Sequence, residues 1–471
     1  MPSIPVHVFR EYDIRGLVAT ELTPDFARTL GLGFGTHLKE RLGSSSPSAP
    51  ERRRTIALGR DVRTSSTTLR DALVEGLTAT GVSVTDLGVV ATPLTYFAAN
   101  TLPVDGLAMI TGSHNPPEFN GFKTGAGKTT FHGSEIQELR RVCESGRFAT
   151  SSTPGAVSTH DIIADYTKFV LGNIAVGPRK LKVVVDAGNG CGGFIAVPLL
   201  EKLGFEVVGQ FIEPDGTFPN HHPDPTVVKN IEPLIERVRR ERADVGIAYD
   251  GDADRIGAVD DQGRILWGDE LMVLFARDIL KEKPGATFVS EVKCSMAMYD
   301  DIEKHGGHAV MWKAGHSLIK AKMAETGAEL AGEMSGHIFF KNRYFGFDDA
   351  IYSTCRLLEL MSKSDRPLSR LLGDLPKTYA SPEIRSDFPE ELKFRAVALA
   401  REKLKKLAPT TVDVDGVRAI WPDGWGLVRA SNTQPLLVLR FEATTEARMR
   451  EIEALVEATL AEVRRELGAE G

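Results

Sequence analysis

One pattern occurs three times along this chain and restricts its fold: an apolar strand, a turn, an amphipathic helix, a glycine and a second apolar strand. The helices are predicted near residues 67–80, 192–203 and 295–305, and the glycines after them are Gly81, Gly204 and Gly306. Two strands joined through a helix pair in parallel. Because the copies lie more than 100 residues apart, they are too long for solenoid repeats. The pattern predicts three related α/β domains with mainly parallel sheets.

The composition changes beyond about residue 372. Two strands are predicted within residues 419–429, joined by a Pro-Asp-Gly turn, and residues 436–442 predict a third. Residues 445–467 carry apolar side chains at helical spacing. We therefore expect a C-terminal α+β domain with a small antiparallel sheet.

The bulk composition argues against several classes of protein. Lys and Arg number 57 against 64 Asp and Glu, and a net charge of −7 disfavours nucleic acid as the main partner. The cysteines (Cys143, Cys191, Cys294 and Cys355) are scattered, which supports neither a disulfide framework nor a zinc site. No stretch reads as a signal peptide or a membrane span. We expect a cytoplasmic protein with no membrane partner, either monomer or dimer.

A serine loop spans residues 111–123 and follows the apolar run 107–110. Its Gly, Asn and Pro-Pro residues end that strand, so Ser113 lies on a loop at the strand end. A serine hydroxyl needs a neighbouring group to become reactive, and His114 and Lys123 are the local candidates. We expect Asn120-Gly121 to turn Lys123 back towards the serine. The alternative is a polar loop that only satisfies its own hydrogen bonds.

An aspartate loop carries Asp250, Asp252 and Asp254 between two apolar runs. Three carboxylates at alternate positions repel one another, and a hard divalent cation such as Mg²⁺ or Ca²⁺ relieves that repulsion. An EF-hand would need Gly where this chain has Arg255 and Glu where it has Asp261, so it fails. A solvated acidic turn remains the alternative. Ligands gather beyond the carboxyl ends of strands in α/β sheets, so we expect the serine and aspartate loops to meet around one cation.

Four segments together carry a family resemblance: T-G-S-H-N-P with N-G-F-K, D-G-D-A-D-R, G-E-M-S-G-H at 332–337, and R-A-S-N-T-Q-P at 429–435. In this order and spacing they resemble the signature loops of the alpha-D-phosphohexomutase superfamily, and specifically its bacterial phosphomannomutase/phosphoglucomutase branch. The resemblance implies four domains around a central cleft. We set them at residues 1–157 with the phosphoserine loop, 158–262 with the metal loop, 263–372 with a sugar-recognition loop, and 373–471 with a phosphate-binding loop.

The resemblance also implies roles for individual residues. Arg255 and His316 would join Ser113, His114 and Lys123 in catalysis, with Lys123 the first candidate for general acid/base. Further residues would bind substrate: Tyr12, Arg15, Lys293, Ser317, Glu333, Ser335 and His337. The last loop offers a guanidinium, hydroxyls and an amide for a phosphate dianion, through Arg429, Ser431, Asn432 and Thr433. Taken alone, that loop also fits a charged β-turn.

The implied activity is that of an isomerase in carbohydrate metabolism. It would interconvert hexose 6-phosphate and hexose 1-phosphate, of mannose or glucose, through phosphorylated Ser113 and a hexose 1,6-bisphosphate. Mg²⁺ would be held by Ser113, Asp250, Asp252 and Asp254. The alternatives are a phosphoglucosamine mutase, a Mg²⁺-dependent sugar phosphatase and a non-catalytic sugar-phosphate sensor. A sensor would be expected to lack Ser113 or an aspartate, and this chain retains them.

Overall fold

The computed structural model describes residues 4–43, 53–431 and 434–469. The chain forms two compact units. Unit 1 consists of Met1–Leu271 and Ser335–Leu371, and unit 2 consists of Met272–Met334 and Leu372–Gly471. Each unit is described separately.

The first segment of unit 1 opens with a 3₁₀ turn at Val6–Val8 and then forms a mixed sheet with helices. Its elements are β1 Ile14–Leu17, α1 Pro24–Leu42, β2 Thr55–Arg60, α2 Ser66–Ala79, β3 Ser83–Val89, α3 Thr92–Thr101, β4 Gly106–Ile110, β5 Phe119–Ala126, β6 Thr129–Thr130, α4 Ser134–Ser145 and β7 Val157–Thr159. The strand order is β1-β5-β4-β2-β3-β7, with β6 beside β5. Strands β4, β2, β3 and β7 are parallel, whereas β5 runs antiparallel to β4 and β1.

The second segment of unit 1 forms a five-stranded sheet in the order β12-β11-β10-β8-β9. Its elements are α5 Ile162–Asn173, β8 Lys182–Asp186, α6 Gly192–Lys202, β9 Glu206–Gln210, α7 Val228–Glu241, β10 Val245–Tyr249, β11 Ile256–Asp260 and β12 Ile265–Leu266. Strands β10, β8 and β9 are parallel, and β11 and β12 complete an antiparallel edge.

The chain then passes through α8 Gly268–Glu282 into unit 2. There β13 Thr287–Glu291, α9 Met296–Lys304, β14 His308–Trp312, α10 His316–Thr326 and β15 Leu330–Gly332 form a parallel layer in the order β14-β13-β15. Back in unit 1, the chain forms the hairpin β16 Ile338–Phe340 and β17 Phe347–Asp348, followed by helices α11 Ala350–Ser362 and α12 Leu368–Leu371.

The C-terminal part of unit 2 is an antiparallel sheet covered by helices. Its elements are β18 Tyr379–Ala380, β19 Ile384–Asp387, α13 Lys393–Leu404, β20 Thr410–Val412, β21 Val417–Trp421, β22 Gly424–Ala430, β23 Leu436–Ala443 and α14 Glu446–Leu467. The order is β18-β23-β22-β21-β20, with β19 also beside β23. Apolar side chains of α13 and α14 pack on this sheet in one core.

The repeated pattern is confirmed in all three places. Helices α2, α6 and α9 are each followed by a glycine with positive φ (Gly81 at 87°, Gly204 at 90° and Gly306 at 81°) and then by a strand parallel to the one before the helix. A left-handed glycine ends a helix by satisfying its last carbonyls without a side-chain clash. The predicted fold class, three α/β layers and a C-terminal α+β part, is therefore confirmed. The four domain boundaries stay a prediction.

The described helices include none with both the length and the apolar character that crossing a bilayer requires. All four cysteines are buried and free.

A buried polar group joins several elements within unit 1. Asp349 begins α11, where its carboxylate accepts a hydrogen bond from the backbone N–H of Tyr352 at 2.8 Å. It also accepts hydrogen bonds from the hydroxyls of Tyr166 (3.0 Å) and Tyr344 (2.8 Å). Burial raises the pKa of Asp349 to about 6, although these hydrogen bonds act in the opposite direction. The folded structure therefore disfavours the ionised form of Asp349.

This raised pKa makes the stability of unit 1 depend on pH. The folded chain binds the Asp349 proton more tightly than the unfolded chain, whose aspartate pKa is about 3.9. The stabilisation is therefore complete below about pH 4 and is lost as the pH rises through about 6. We expect Asp349→Asn, which keeps the helix cap, to gain about 1 kcal/mol over wild type between pH 5 and pH 7.5.

Urea unfolding at the two pH values measures this difference. Asp161→Asn is the matched control, because Asp161 also caps a helix, α5, but is exposed. An Asp349→Asn difference that stays constant with pH, or that tracks the Asp161→Asn difference, would contradict the assignment.

Candidate active site

The serine loop begins where β4 ends. Ser113 has φ +47°, in the left-handed region that few residues other than glycine adopt. Its backbone N–H donates to the hydroxyl of Thr111 at 2.8 Å, and the N–H of Gly112 donates to Asp61 at 2.9 Å. Ser113 is buried, with 3% of its surface exposed. Hydrogen bonds and burial thus fix the start of the loop at Gly112 and Ser113.

The aspartate loop joins β10 to β11, as the two flanking apolar runs predict. Asp250, Asp252 and Asp254 are buried, and one carboxylate oxygen of each lies within 4.8 Å of the others. Asp250 Oδ1 accepts hydrogen bonds from the backbone N–H groups of Asp254 (3.1 Å) and Arg255 (3.2 Å). These contacts fix the orientation of the Asp250 carboxylate.

The two loops meet, although 137 residues separate Ser113 from Asp250 in the chain. The Ser113 hydroxyl donates to Asp250 Oδ2 at 2.9 Å. The backbones also touch, because a Cβ added at Gly251 would lie 2.5 Å from the carbonyl oxygen of Ser113. The predicted meeting of hydroxyl and carboxylates is thus present in the structure.

The two carboxylate oxygens of Asp252 differ in their hydrogen bonds. Asp252 Oδ2 accepts hydrogen bonds from the hydroxyls of Thr92 (2.5 Å) and Thr111 (3.0 Å), and from the ammonium of Lys123 (3.2 Å). In contrast, Asp252 Oδ1 is buried and has no hydrogen-bond partner among the described residues. Oxygen atoms in this arrangement suit a hard cation, so the buried triad is compatible with metal binding.

The charges around the triad shift several pKa values. Burial raises the pKa of Asp250 well above its usual range, and the charges of Asp254 and Asp252 raise it further. Burial acts the same way on Asp254, but Lys123 and His337 outweigh it and hold the pKa of Asp254 well below its usual range. The two aspartates also outweigh the burial of Lys123 and raise its pKa, so its ammonium stays protonated at neutral pH.

Lys123 does not reach the site through the turn that we expected. Asn120 and Gly121 lie inside strand β5, where Lys123 pairs with Met109 of β4. Its ammonium lies 2.5 Å from Asp254 Oδ2. The pairing of β5 with both β4 and β1 overrides the local turn preference of Asn-Gly.

His114 is the imidazole beside the serine. Its Nδ1 lies 3.0 Å from Ser113 Oγ. Burial lowers the pKa of His114 well below its usual range, and Arg255 and Arg15 lower it further. Arg15 donates a hydrogen bond to the carbonyl of Gly112, and Tyr12 lies half-buried just before β1.

The predicted sugar-recognition loop is divided between the two units. Ser335 and His337 belong to unit 1, where His337 Nε2 lies 3.2 Å from Asp254 Oδ1 and Arg255 Nε donates to the same nitrogen at 3.3 Å. Glu333 belongs to unit 2, where it accepts a hydrogen bond from the backbone N–H of Gly315 at 2.7 Å.

Unit 2 gathers a second polar set. Lys293 follows β13 and lies 3.0 Å from Glu383 and 3.4 Å from Glu291. Burial raises the pKa of Glu291 to about 7, and the nearby charges of Lys293, Glu333, Arg429 and Glu383 also act on it. This mutual influence places Lys293, Glu333 and Arg429 in one electrostatic cluster.

Other predicted residues of unit 2 lie at the ends of its elements. His316 and Ser317 begin α10, with 3.4 Å between the Ser317 hydroxyl and His316 Nδ1. Arg429 ends β22 beside Asp415, at 3.0 Å, and Ser431 accepts a hydrogen bond from the backbone N–H of Gln434. Asn432 and Thr433 lie outside the described residues.

Sequence models of one family match nearly the whole chain. They are phosphoglucomutase/phosphomannomutase alpha/beta/alpha domain I over residues 6–149, domain II over 164–263, domain III over 267–379, and the C-terminal domain over 383–459. The chain belongs to the phosphoglucomutase/phosphomannomutase family. The resemblance carried by the four sequence motifs is thereby confirmed.

Individual members of this family are similar over their full length. The phosphomannomutase/phosphoglucomutase of Pseudomonas aeruginosa is 45% identical over 454 residues, covering 96% of this chain and 95% of that protein. The phosphoglucomutase of Neisseria meningitidis serogroup A is 44% identical over 462 residues and covers 98% of each. The crystal structure of a phosphoglucomutase/phosphomannomutase family protein from Burkholderia thailandensis superposes with a TM-score of 0.90 at 40% identity, covering 98% of each chain.

Sequence reasoning missed several residues that shape the site in this family member. Asp61 and Arg63 follow β2, Thr92 follows β3, and Glu291 ends β13. Each lies at the carboxyl end of a parallel strand, which is the edge where ligands gather in α/β sheets. A polar residue at the end of a parallel strand, or up to three residues beyond it, is therefore the signal that marks such residues as candidates.

The contact between the two loops predicts the effect of a single methyl group. Gly251→Ala would bring a Cβ to 2.5 Å from the Ser113 carbonyl, and forced overlap of this kind costs about 2 kcal/mol. We expect urea unfolding to show this loss. The control is Gly172→Ala in α5, where no described atom lies within 4 Å of an added Cβ and stability should rise by up to about 1 kcal/mol. Equal stability of the two variants would show that the loops do not touch.

Proposed function

We propose that this chain is a phosphohexomutase that interconverts the 6-phosphate and 1-phosphate of glucose and mannose. The observation that carries the proposal is the Ser113 hydroxyl, 2.9 Å from Asp250 within a buried triad of carboxylates. Relatives 43–45% identical over nearly the whole chain are named phosphomannomutase/phosphoglucomutase or phosphoglucomutase. A serine presented to a cation-binding triad suits the storage and transfer of a phosphoryl group.

The residues present fit a Mg²⁺ ion. Asp250, Asp252 and Asp254 would hold it with the oxygen of Ser113, and Asp252 Oδ1 is an oxygen still free of hydrogen bonds among the described residues. When bound, the ion neutralises negative charge on the phosphoryl group and so favours its transfer.

The chemical step transfers the phosphoryl group from Ser113 to a sugar hydroxyl. The hydroxyl oxygen forms a bond to phosphorus, the bond from phosphorus to Ser113 Oγ breaks, and the product is a hexose 1,6-bisphosphate. We assign general acid/base catalysis first to Lys123, assisted by His114 or His316. One of these groups takes the proton that leaves the sugar hydroxyl and another gives a proton to Ser113 Oγ, and both transfers reverse when the serine attacks the other phosphate of the bisphosphate. His114 Nδ1 lies 3.0 Å from Ser113 Oγ.

Lys123 and Arg255 also act electrostatically. The Lys123 ammonium contacts Asp252 and Asp254, whose charges raise its pKa well above the usual range in spite of its burial. Arg255 sits beside His337 at the end of the aspartate loop, where its positive charge favours a phosphoryl group.

The remaining residues recognise substrate. A sugar that presents either end to Ser113 needs binding groups that hold its hydroxyls and its second phosphate in turn. We assign the hydroxyls to Tyr12, Ser317, Glu333, Ser335 and His337. We assign the second phosphate to Arg429, Ser431, Asn432 and Thr433, and we count Arg15 and Lys293 among the substrate-binding residues.

Substitution of the serine tests the covalent step. We expect Ser113→Ala to lower kcat with glucose 1-phosphate by more than about 10³-fold, because the phosphoryl acceptor is gone. The assay couples glucose 6-phosphate formation to its oxidation and counts free phosphate in parallel. A chelator should abolish the activity of the wild type, and added Mg²⁺ should restore it.

Ser145→Ala, at the end of α4, is the matched control and should retain full activity. Free phosphate in place of glucose 6-phosphate would identify a phosphatase, and full activity of Ser113→Ala would remove the phosphoserine. Parallel assays with mannose and glucosamine phosphates decide the preferred sugar.

The threonine contacts on Asp252 predict a change in metal affinity. Thr92→Val removes the 2.5 Å hydrogen bond that fixes Asp252 Oδ2, and loss of such a supporting contact weakens metal binding about 10-fold. Titration of the unphosphorylated protein with Mn²⁺, followed by electron paramagnetic resonance, measures this directly. Thr95→Val is the control, since Thr95 is also buried on α3 but donates to Met109. Equal Mn²⁺ affinities of the two variants would contradict the role of Thr92.

A further inference from the structure

One buried arginine contacts the serine loop along most of its length. Arg63 lies in the turn after β2, with 2% of its surface exposed. Its Nη1 donates to the carbonyls of Pro116 (2.6 Å) and Phe119 (3.0 Å), and its Nη2 donates to those of Ser113 (2.9 Å) and Asn115 (2.5 Å). A planar guanidinium with a fixed fork of donors can serve four carbonyls at once, which an ammonium cannot.

Asp61 holds this arginine and the start of the loop together. Its Oδ2 accepts the N–H of Gly112 at 2.9 Å and lies 3.2 Å from Arg63 Nε. Its Oδ1 accepts the backbone N–H of Arg63 at 3.0 Å and the hydroxyl of Ser66 at 2.5 Å. The Asp61 carboxylate therefore binds the backbone of both Gly112 and Arg63 and forms an ion pair with the guanidinium, although Arg63 Nε itself has no hydrogen-bond partner among the described residues.

The guanidinium is also enclosed by close packing. A Cβ at Gly112 would lie 2.1 Å from Arg63 Nε, so a larger residue there would displace the guanidinium. On the chain segment before α7, the ring of Phe218 lies 5.0 Å from Arg63 Cζ, and a Cβ at Gly216 would lie 2.6 Å from Arg63 Cα. The side chain has one available position.

The conformation that these contacts hold is a strained one. A positive φ is uncommon at a residue other than glycine and persists only where its surroundings impose it. At Ser113 the φ of +47° directs the hydroxyl to Asp250. Arg63 donates a hydrogen bond to the carbonyl oxygen of Ser113, which is the residue with the strained φ.

We propose that Arg63, oriented by Asp61, is a positioning residue for phosphoryl transfer: it holds the serine loop so that Ser113 Oγ faces the aspartate triad. The inference rests on the proposed mutase function. Arg63 acts through backbone carbonyls and contacts neither substrate nor metal ligand side chains in this role. Its loss should therefore slow the chemistry and leave sugar binding nearly unchanged.

The test is Arg63→Lys in the full chain, which keeps the positive charge but not the four-carbonyl contact. A displacement of about 1 Å at a reacting group costs about 100-fold in rate. We expect kcat with glucose 1-phosphate to fall by about 100-fold, with KM changed by less than about 3-fold. Arg60→Lys is the matched control, because Arg60 ends β2 and pairs with Asp86 at 3.7 Å, and it should retain kcat within about 2-fold.

A second measurement isolates the serine. Unphosphorylated protein is mixed with glucose 1,6-bisphosphate, and the added phosphate is followed by intact-protein mass. We expect the rate of Ser113 phosphorylation to fall about 100-fold in Arg63→Lys while the final stoichiometry stays at the wild-type value. A general loss of structure would instead lower that stoichiometry. Asp61→Asn, which keeps an acceptor for Gly112, should show the same pattern at about 10-fold and decides the matter if Arg63→Lys does not fold.

The possible results distinguish a failure of the Arg63 role from a failure of the mutase function. A folded Arg63→Lys variant with kcat near that of Arg60→Lys would overturn the role of Arg63, and so would a change confined to KM. A wild-type chain that forms no glucose 6-phosphate and takes no phosphate from the bisphosphate would overturn the mutase function first, and the positioning role with it.

Discussion

Three carboxylates buried within 4.8 Å of one another repel strongly, and the surrounding chain is arranged around that repulsion. Lys123 places an ammonium between Asp252 and Asp254, and His337 approaches Asp254 from the other side. Asp250 accepts two backbone N–H groups and the Ser113 hydroxyl. Because these contacts come from β5, the loop after β4 and the segment before β16, the triad also ties distant parts of unit 1 together.

The α/β scaffold explains why these groups converge. In each parallel sheet the loops that bear polar side chains follow the carboxyl ends of strands: Asp61 and Arg63 after β2, Thr92 after β3, the serine loop after β4 and the aspartates after β10. Unit 2 repeats the arrangement, with Lys293 after β13 and Glu333 after β15. Within the first sheet, the neighbouring parallel strands β3, β2 and β4 bring their loops together although these loops are far apart in sequence, whereas the aspartate loop comes from the second sheet.

Local sequence patterns correctly predicted the features that interactions between residues close in sequence determine. The helix, glycine and strand repeats follow from periodicity and from helix ends, so Gly81, Gly204 and Gly306 could be placed correctly from sequence. The Asn120-Gly121 turn was wrong because pairing with two neighbouring strands decides that segment. Arg63 and Thr92 were missed for a related reason: their places near strand ends mark them only as candidates, and their partners lie 50 or more residues away, so a single sequence does not show which candidate makes a contact.

The contacts that hold Ser113 have a consequence for a reaction that must accept a sugar from either end. Those given by Asp61, Arg63, Thr111 and Asp250 all come from unit 1. The polar cluster of Lys293, Glu333 and Arg429 in unit 2 provides none of these contacts. In the proposed mechanism, a phosphoryl group carried on so constrained a serine is presented identically whichever hydroxyl attacks it. The discrimination between sugars then falls to residues that do not shape the serine, which allows one transfer geometry to serve both halves of the reaction.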